Sequence, residues 1–150
     1  MDDPGGFGSH LPTLRFLLAV LKPRRVLEIG AGLYSTPEFL EHICVTALDS
    51  VEEDAEWRAR VKEANPDDRL HLFERLPKQR DLTRYDLIFV DNASTVEGRV
   101  AAIKMVLSQP HPVTVLHDSE YPDYHQVIEE LAEGRYISVA DPQHSTAICW

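Results

Sequence analysis

The chain has 150 residues, of which 43% are hydrophobic, and a formal net charge of −10 at pH 7. This length suits a single domain with a hydrophobic core, which we expect to span residues 1–150. The negative charge argues against a protein that binds nucleic acid through its phosphates. No apolar run approaches membrane-spanning length, and the N-terminus lacks the basic and apolar regions of a signal peptide. We therefore expect a cytoplasmic protein that has no membrane partner.

Patterns typical of helices and strands alternate along the chain after an N-terminal stretch, residues 1–10, that is rich in glycine, proline and aspartate and is predicted to be flexible. Helices are predicted over 11–21, 37–42, 53–64, 98–107 and 124–132. Strands are predicted over 26–29, 44–48, 70–73, 85–90, 113–116, 136–139 and 146–149, with a turn at 141–144 between the last two.

The predicted strands are short, continuous apolar runs, which are typical of parallel strands covered on both faces. Their alternation with helices predicts an α/β sandwich, and the last two strands predict a hairpin that adds an antiparallel strand to the sheet. The two cysteines, Cys44 and Cys149, each lie in an apolar strand-like run. We expect core thiols in a reducing compartment and not a disulfide.

The most informative motif follows the first predicted strand, which reaches Glu28 and then breaks into a turn that contains Gly30 and Gly32. Ser35 or Thr36 is predicted to cap the next helix. Glycine in such a turn lets a ligand approach the backbone closely, and the helix N-terminus offers unpaired N–H groups. Because the acid at the strand end disfavours a phosphate, the motif favours S-adenosylmethionine over a dinucleotide.

These residues resemble the class I S-adenosylmethionine-dependent methyltransferases, and the resemblance covers nearly the whole chain from Leu11 to Trp150. The matching motifs read VLEIGAG at 26–32, DSVEEDAEW at 49–57, YDLIFVD at 85–91 and VTVLHD at 113–118. The chain departs from the family pattern at Tyr34, where a third glycine is usual. The resemblance implies a Rossmann-like three-layer fold with a mostly parallel seven-stranded sheet and an antiparallel last strand. It also implies S-adenosylmethionine as the cofactor.

The resemblance implies a set of cofactor-binding residues at the ends of the first two strands and at the start of the helix between them: Glu28, Gly30, Gly32, Ser35, Thr36, Asp49 and Glu52. Glu28 would bind the methionyl ammonium through water; the alternative is a carboxylate that caps the neighbouring turn. Either Glu52 or Asp49 would accept both ribose hydroxyls. Glu52 is favoured because Trp57 follows it as in relatives that read Glu-x-Asp-x-Glu-Trp, whereas Asp49 lies closer to the predicted strand end.

Three candidate catalytic residues follow the fourth and fifth predicted strands: Asp91, His117 and Asp118. In the cation-dependent O-methyltransferases, acids at the two aspartate positions hold magnesium. Ser119 stands where that group has asparagine, so we predict no metal and expect Asp91 and Asp118 to orient substrate or cofactor. His117 is either a general base or a hydrogen-bonded structural residue.

Five further histidines, which are His10, His42, His71, His111 and His144, show no metal-ligand spacing to one another. Four are expected at the surface, and these are His42, His71, His111 and His144. His10 is either a surface residue or one that folds over the cofactor.

The leading hypothesis is a methyltransferase that moves a methyl group from S-adenosylmethionine to an oxygen or nitrogen nucleophile of a small molecule. No cap domain is inserted in the chain, so a second subunit could complete the substrate pocket, and we expect a homodimer. One alternative is a non-catalytic S-adenosylmethionine-binding module or accessory subunit. The other is a nicotinamide-dependent oxidoreductase, which Ser35 disfavours because that class reads Gly-x-Gly-x-x-Gly.

Overall fold

The computed structural model describes residues 8–76, 81–92, 95–140 and 144–150, and within these ranges seven strands alternate with five α-helices. The strands are β1 (Arg25–Ile29), β2 (Ala47–Val51), β3 (Leu70–Phe73), β4 (Leu87–Val90), β5 (Val113–His117), β6 (Tyr136–Ala140) and β7 (Ser145–Cys149). The helices are α1 (Leu11–Leu21), α2 (Ser35–Glu41), α3 (Ala55–Ala64), α4 (Val96–Leu107) and α5 (Pro122–Ala132), and a 3₁₀ helix spans Leu82–Arg84.

All seven strands form one sheet in the order β3-β2-β1-β4-β5-β7-β6. The first five pair in parallel, whereas β7 is antiparallel to both β5 and β6. The predicted α/β fold with a C-terminal antiparallel hairpin strand is therefore confirmed. The carboxyl ends of β1, β2, β4 and β5 meet at one edge of the sheet, which is where ligands bind in open α/β sheets.

Hydrophobic side chains fill both faces of the sheet and give the fold three layers. On β4, Ile88 and Val90 pack in one cluster with side chains of α4 and α5, while Leu87 and Phe89 pack in a second cluster with side chains of α1 and α2. This alternation explains why the parallel strands read as continuous apolar runs. Glu28 lies between two apolar neighbours of β1, so its carboxylate is carried into the protein interior.

Helix α1 has the predicted bounds because residues at both ends restrict the backbone. Pro12 occupies the first turn, where its missing N–H has no partner to lose. Lys22 adopts a left-handed conformation with φ of 48°, donates its N–H to Leu18 O, and is followed by Pro23. None of the helices in the described part of the chain has the length and apolar character needed to cross a membrane.

Strand β2 begins and ends three residues later than predicted, which is the largest error among the elements. The register pairs Arg25 with Ala47, and the N–H groups of Thr46 and Ala47 bond Arg24 O. The apolar run therefore starts in a turn after α2, and Cys44 lies in that turn and not in a strand. As a result Asp49 lies inside the strand. Both cysteines are free thiols, and Cys149 is buried in β7 as predicted.

Residues 1–7 lie outside the described ranges, and residues 8–10 form a turn that leads into α1, so the flexibility of residues 1–10 stays a prediction. Gly8 accepts a backbone hydrogen bond from Leu11 N–H, and His10 O accepts one from Leu14 N–H. The His10 side chain is only 2% exposed. The rings of Phe89 and His117 contact it at the sheet edge. Of the predicted turn at 141–144, only His144 lies in the described ranges.

Candidate active site

The glycine turn after β1 is shaped by its contact with the end of β4. Gly30 has φ of +98°, and a Cβ at this position would lie 2.5 Å from backbone atoms of Asp91 and Asn92. Only glycine fits such a conformation and such a close approach. At Gly32 a Cβ would lie 3.1 Å from Ser35 Oγ, which is tight. Protein packing thus accounts for glycine at position 30, and the approach of a ligand to either glycine stays a prediction.

Glu28 is fully buried and accepts hydrogen bonds from three neutral hydroxyl groups. The donors are Ser35 Oγ at 2.5 Å, Thr36 Oγ1 at 2.8 Å and Ser50 Oγ at 2.6 Å. Burial raises the pKa of Glu28 to about 7, although the three hydroxyl hydrogen bonds lower it. The carboxylate therefore ties the glycine turn to α2 and β2. Its contact with a methionyl ammonium stays a prediction.

Ser35 and Thr36 do not cap α2 through their side chains, which corrects the sequence prediction. The helix includes both residues and has Tyr34 at its N-cap position, where no side-chain cap hydrogen bond is made. Their hydroxyls bind Glu28 instead, and Thr36 Oγ1 also accepts the N–H of Gly32 at 3.1 Å. Their position beside the turn is as predicted, but their partner is a buried acid.

The structure places the two candidate ribose acids in different environments. Asp49 is 5% exposed, and its carboxylate binds Tyr85 Oη at 2.6 Å and His71 Nδ1 at 2.9 Å. Glu52 directly follows β2, is half-buried, and accepts the N–H of Asp54 at 2.9 Å. Burial raises the pKa of Glu52. Asp49 therefore belongs to the interior of the sheet, whereas Glu52 stands at its carboxyl edge.

Trp57 connects the segment after β2 with the glycine turn. Its indole Nε1 donates to Ala31 O at 2.8 Å, and its backbone N–H donates to Asp54 Oδ1 at 2.7 Å. Glu52 and the turn are thus held at a fixed separation by a rigid aromatic side chain. The binding of a ribose by Glu52 stays a prediction.

Asp91 and His117 form a hydrogen-bonded pair where β4 and β5 end. His117 Nδ1 lies 3.1 Å from Asp91 Oδ1, and His117 Nε2 lies 2.8 Å from Ser9 Oγ. Burial opposes the charge of Asp91, but the hydrogen bond and charge of His117 and the charge of Arg99 outweigh it, so the pKa of Asp91 is lowered. Burial opposes the charge of His117 as well, but Asp91 and then Asp118 outweigh it and raise its pKa.

Asp118 lies beside this pair, in a left-handed backbone conformation with φ of 58° that aspartate tolerates better than most residues. Its Oδ1 is 3.5 Å from His117 Nδ1 and 3.2 Å from His144 Nδ1. Burial, followed by the charge of Asp91, raises the pKa of Asp118. His144 Nδ1 also lies 2.9 Å from Glu120 Oε1. His144 thus keeps part of its side chain at the surface, as expected, and at the same time contacts the acids beside His117.

His10 closes the site from the N-terminal side. Its ring centroid lies 5.0 Å from that of Phe89 and 4.8 Å from that of His117, and its Nδ1 is 3.9 Å from Asp91 Oδ2. Of the two alternatives for His10, the surface position is wrong, and a position over the sheet edge is observed. Contact of His10 with a cofactor stays a prediction.

Arg99 of α4 is the main site residue that the sequence analysis missed. It is 4% exposed and donates to Asp91 Oδ1 at 2.8 Å. A signal for it exists in the sequence, because Arg99 precedes the buried Ile103 by one helical turn and therefore lies on the core face of α4. An arginine at a core-facing position indicates a buried anionic partner.

Two groups of potential metal ligands lie in the described part of the chain. The first group is His10, Asp91 and His117, and the second is Asp118, Glu120 and His144. Within each group the potential ligand atoms lie within 4.8 Å of one another. In both groups a carboxylate already faces the guanidinium of Arg99, at 2.8 Å from Asp91 and 3.9 Å from Asp118. That positive charge opposes a second cation nearby. The absence of a metal stays a prediction.

A separate crevice of about 760 Å³ lies at the opposite edge of the sheet, between residues that precede β4 and β5 and residues that follow α4, α5 and β7. Its walls include His111, Arg135 and Trp150. None of the predicted site residues lines it. The cluster of Asp91, His117, Asp118 and Arg99 lies at the carboxyl edge, so we place the candidate active site there.

The sequence matches no known protein-family model and no curated protein. The structure is similar to solved methyltransferases. The methyltransferase domain of bacterial CtHen1 has a TM-score of 0.67 at 14% identity, covering 94% of this chain and 97% of that one. An O-methyltransferase from Bacillus cereus in complex with SAH has a TM-score of 0.64 at 17% identity, and the match covers 98% of this chain and 81% of that one. The N-methyltransferase NodS from Bradyrhizobium japonicum WM9 has a TM-score of 0.65 at 18% identity, and the match covers 99% of this chain and 96% of that one.

Each match extends over nearly the whole chain. Because the sequence identities are below 20%, the matches show a shared fold only. They agree with the strand order and the antiparallel β7 described above. The chain has the Rossmann-like α/β fold of the class I methyltransferases.

Proposed function

We propose that this chain is a methyltransferase that uses S-adenosylmethionine to methylate an oxygen or nitrogen nucleophile of a small molecule. The observation that supports this most directly is the Asp91–His117 pair, which presents His117 Nε2 to a hydroxyl group at 2.8 Å. The pair lies at the same sheet edge as the glycine turn, in a fold shared with an O-methyltransferase in complex with SAH and with an N-methyltransferase.

The residues at this edge fit the cofactor. We assign the two ribose hydroxyls to the Glu52 carboxylate, because Glu52 follows β2 while Asp49 is engaged by Tyr85 and His71. The methionyl part would lie against the turn at 30–32, with Glu28 reaching its ammonium through water. The backbone of Asn92 lies beside the turn, and its buried side-chain oxygen Oδ1 has no hydrogen-bond partner among the described residues. An adenosyl ligand offers hydroxyl and amino donors to such an atom.

S-adenosylmethionine supplies a methyl group that its sulfonium already activates, so the protein mainly aligns the nucleophile and removes its proton. His117 Nε2 is the atom placed to accept that proton, and Ser9 Oγ occupies the position that an acceptor hydroxyl or amine would take. Asp91 then stabilises the imidazolium at Nδ1. His117 acts as a base only when it is neutral, so methyl transfer should increase as pH rises through its raised pKa.

A non-catalytic S-adenosylmethionine-binding module is the second candidate. One observation favours it, namely that Ser9 already fills the hydrogen-bonding position at His117 Nε2 and His10 covers the pair. Such a module would bind the cofactor without turnover on any acceptor.

The test measures S-adenosylhomocysteine released from S-adenosylmethionine with panels of alcohols, phenols and amines. We expect turnover with some acceptors and a loss of about 10²- to 10⁴-fold in the His117→Gln variant. His125→Gln is the matched control, since His125 is an exposed histidine that pairs with Glu129 on α5. Turnover that His117→Gln leaves unchanged would contradict the role of His117. Cofactor binding without turnover on any acceptor would favour the binding module.

A further inference from the structure

We propose that Arg99 is the positioning residue of this site, an internal cation that fixes Asp91 and thereby holds His117 with Nε2 turned toward the acceptor. The inference rests on the proposed function for its catalytic consequence. Its structural content, the orientation and tautomer of His117, can be measured without any turnover.

The guanidinium of Arg99 joins the ends of β4 and β5 through three hydrogen bonds. Nη2 donates to Asp91 Oδ1 at 2.8 Å, Nε donates to Asn92 O at 2.5 Å, and Nη1 donates to His117 O at 3.2 Å. The planar group also lies over the ring of Tyr124 at 5.5 Å. The donors of the guanidinium point in fixed directions, so these partners set the position of the Asp91 carboxylate relative to the backbone of His117.

The charge of Arg99 is matched to two acids that face it. Besides Asp91, the carboxylate of Asp118 lies 3.9 Å from Nη1. A buried arginine is costly unless it is paired and hydrogen-bonded, and two like-charged carboxylates close together repel each other. Arg99 relieves that repulsion from within the protein. The guanidinium of Arg99 therefore lies between Asp91, which follows β4, and Asp118, which follows β5.

Three polar oxygens and the rings of two other histidines surround the ring of His117. Asp91 Oδ1 lies 3.1 Å and Asp118 Oδ1 3.5 Å from Nδ1, and Ser9 Oγ lies 2.8 Å from Nε2. The rings of His10 and His144 lie edge-on at 4.8 Å and 5.5 Å. An ionised Asp91 can only accept, so it selects the tautomer with a proton on Nδ1 and leaves the lone pair on Nε2. The hydrogen bond from Arg99 Nη2 holds the Asp91 carboxylate in place for this task.

The experiment uses ¹⁵N-histidine NMR of the whole chain, with wild type, Arg99→Met and Arg99→Lys compared above the pKa of His117. In wild type we expect the Nδ1–H tautomer to predominate. Both variants should show an increased share of the Nε2–H tautomer, because neither keeps the fixed guanidinium geometry. Arg99→Met should also raise the titration midpoint of His117, since a nearby positive charge is lost, while Arg99→Lys should leave that midpoint near its wild-type value. Arg15→Met, at an exposed arginine paired with Glu38, is the control and should change neither quantity.

For the catalytic consequence we expect kcat to fall about 10²-fold in Arg99→Lys with little change in KM or in cofactor affinity, because a misplaced base slows the reaction and not binding. Thermal unfolding shows whether each variant is folded. If Arg99→Met does not fold, a folded Arg99→Lys variant decides the matter alone through its tautomer ratio.

An unchanged tautomer ratio in folded Arg99→Lys would overturn the proposal. Absence of turnover in wild type would instead remove the proposed function, while a changed tautomer ratio would still support the positioning role of Arg99.

Discussion

The carboxylate of Glu28 is a fully buried acid inside β1, next to the glycine turn. It has no exposed surface, and its hydrogen-bond donors are hydroxyl groups and not cations. Hydroxyl donors stabilise the charged form less than burial destabilises it, and the pKa of Glu28 therefore rises to about 7. At neutral pH the group is poised between its neutral and charged forms.

We predict that the contribution of Glu28 to stability decreases as pH rises. The unfolded chain loses this proton near the ordinary value of 4.5 and the folded chain near 7. The folded state therefore binds more protons between these values, and the free energy of unfolding decreases as pH rises through that window. Glu28→Gln, which resembles the protonated side chain, should lack this component.

Urea unfolding at a series of pH values measures the difference between wild type and Glu28→Gln. The stability of wild type relative to the variant should decline between about pH 4.5 and pH 7 and then level off, following the two pKa values. A difference that does not change with pH would contradict the raised pKa of Glu28.

At the scale of elements, the segment between β2 and α3 does most to place the candidate cofactor residues. Asp54 caps α3 by accepting the N–H of Trp57, and Glu52 in turn accepts the N–H of Asp54. The first turn of α3 thus fixes Trp57, whose indole reaches the glycine turn at Ala31. A local cap therefore contributes to the geometry of a site built from distant parts of the chain.

Removing this cap should destabilise the protein measurably. We expect Asp54→Ala to lower the free energy of unfolding by about 1 kcal/mol, because an N-terminal N–H of α3 loses its partner. Asp68→Ala, at an exposed aspartate of the turn before β3, removes the same charge without removing a helix cap. Chemical denaturation of both variants checks the prediction, and equal effects of the two substitutions would contradict it.

The type and order of the elements could be predicted from the sequence, because apolar periodicity is local. The start of β2 could not be predicted, because an apolar run such as the one that begins at Cys44 is compatible with a packed turn as well as with a strand. Only the pairing of Ala47 with Arg25 shows where the strand begins. The same error placed Asp49 close to the end of β2, whereas it lies inside the strand and Glu52 follows it.

At the scale of the whole molecule, the candidate site is formed by segments that are far apart in sequence. Asp91, His117 and Asp118 could be predicted to meet, because the strands they follow are adjacent and parallel. Ser9, Arg99 and His144 could not be placed there, since their contacts depend on how the N-terminal segment, α4 and the hairpin pack on the sheet edge. The predicted homodimer stays a prediction.

We predict that the carboxyl edge of the sheet binds S-adenosylmethionine, with Glu52 on the ribose. The direct measurement is thermal unfolding with S-adenosylmethionine, S-adenosylhomocysteine or NAD, for wild type, Glu52→Gln, and Glu53→Gln as a control at an exposed neighbour. A ligand at about 100 times its dissociation constant adds about 2.7 kcal/mol of stability, so a shift of several degrees is expected with both adenosyl ligands. Glu52→Gln should reduce the shift and Glu53→Gln should not, whereas no shift with either adenosyl ligand, or a shift with NAD alone, would contradict the account.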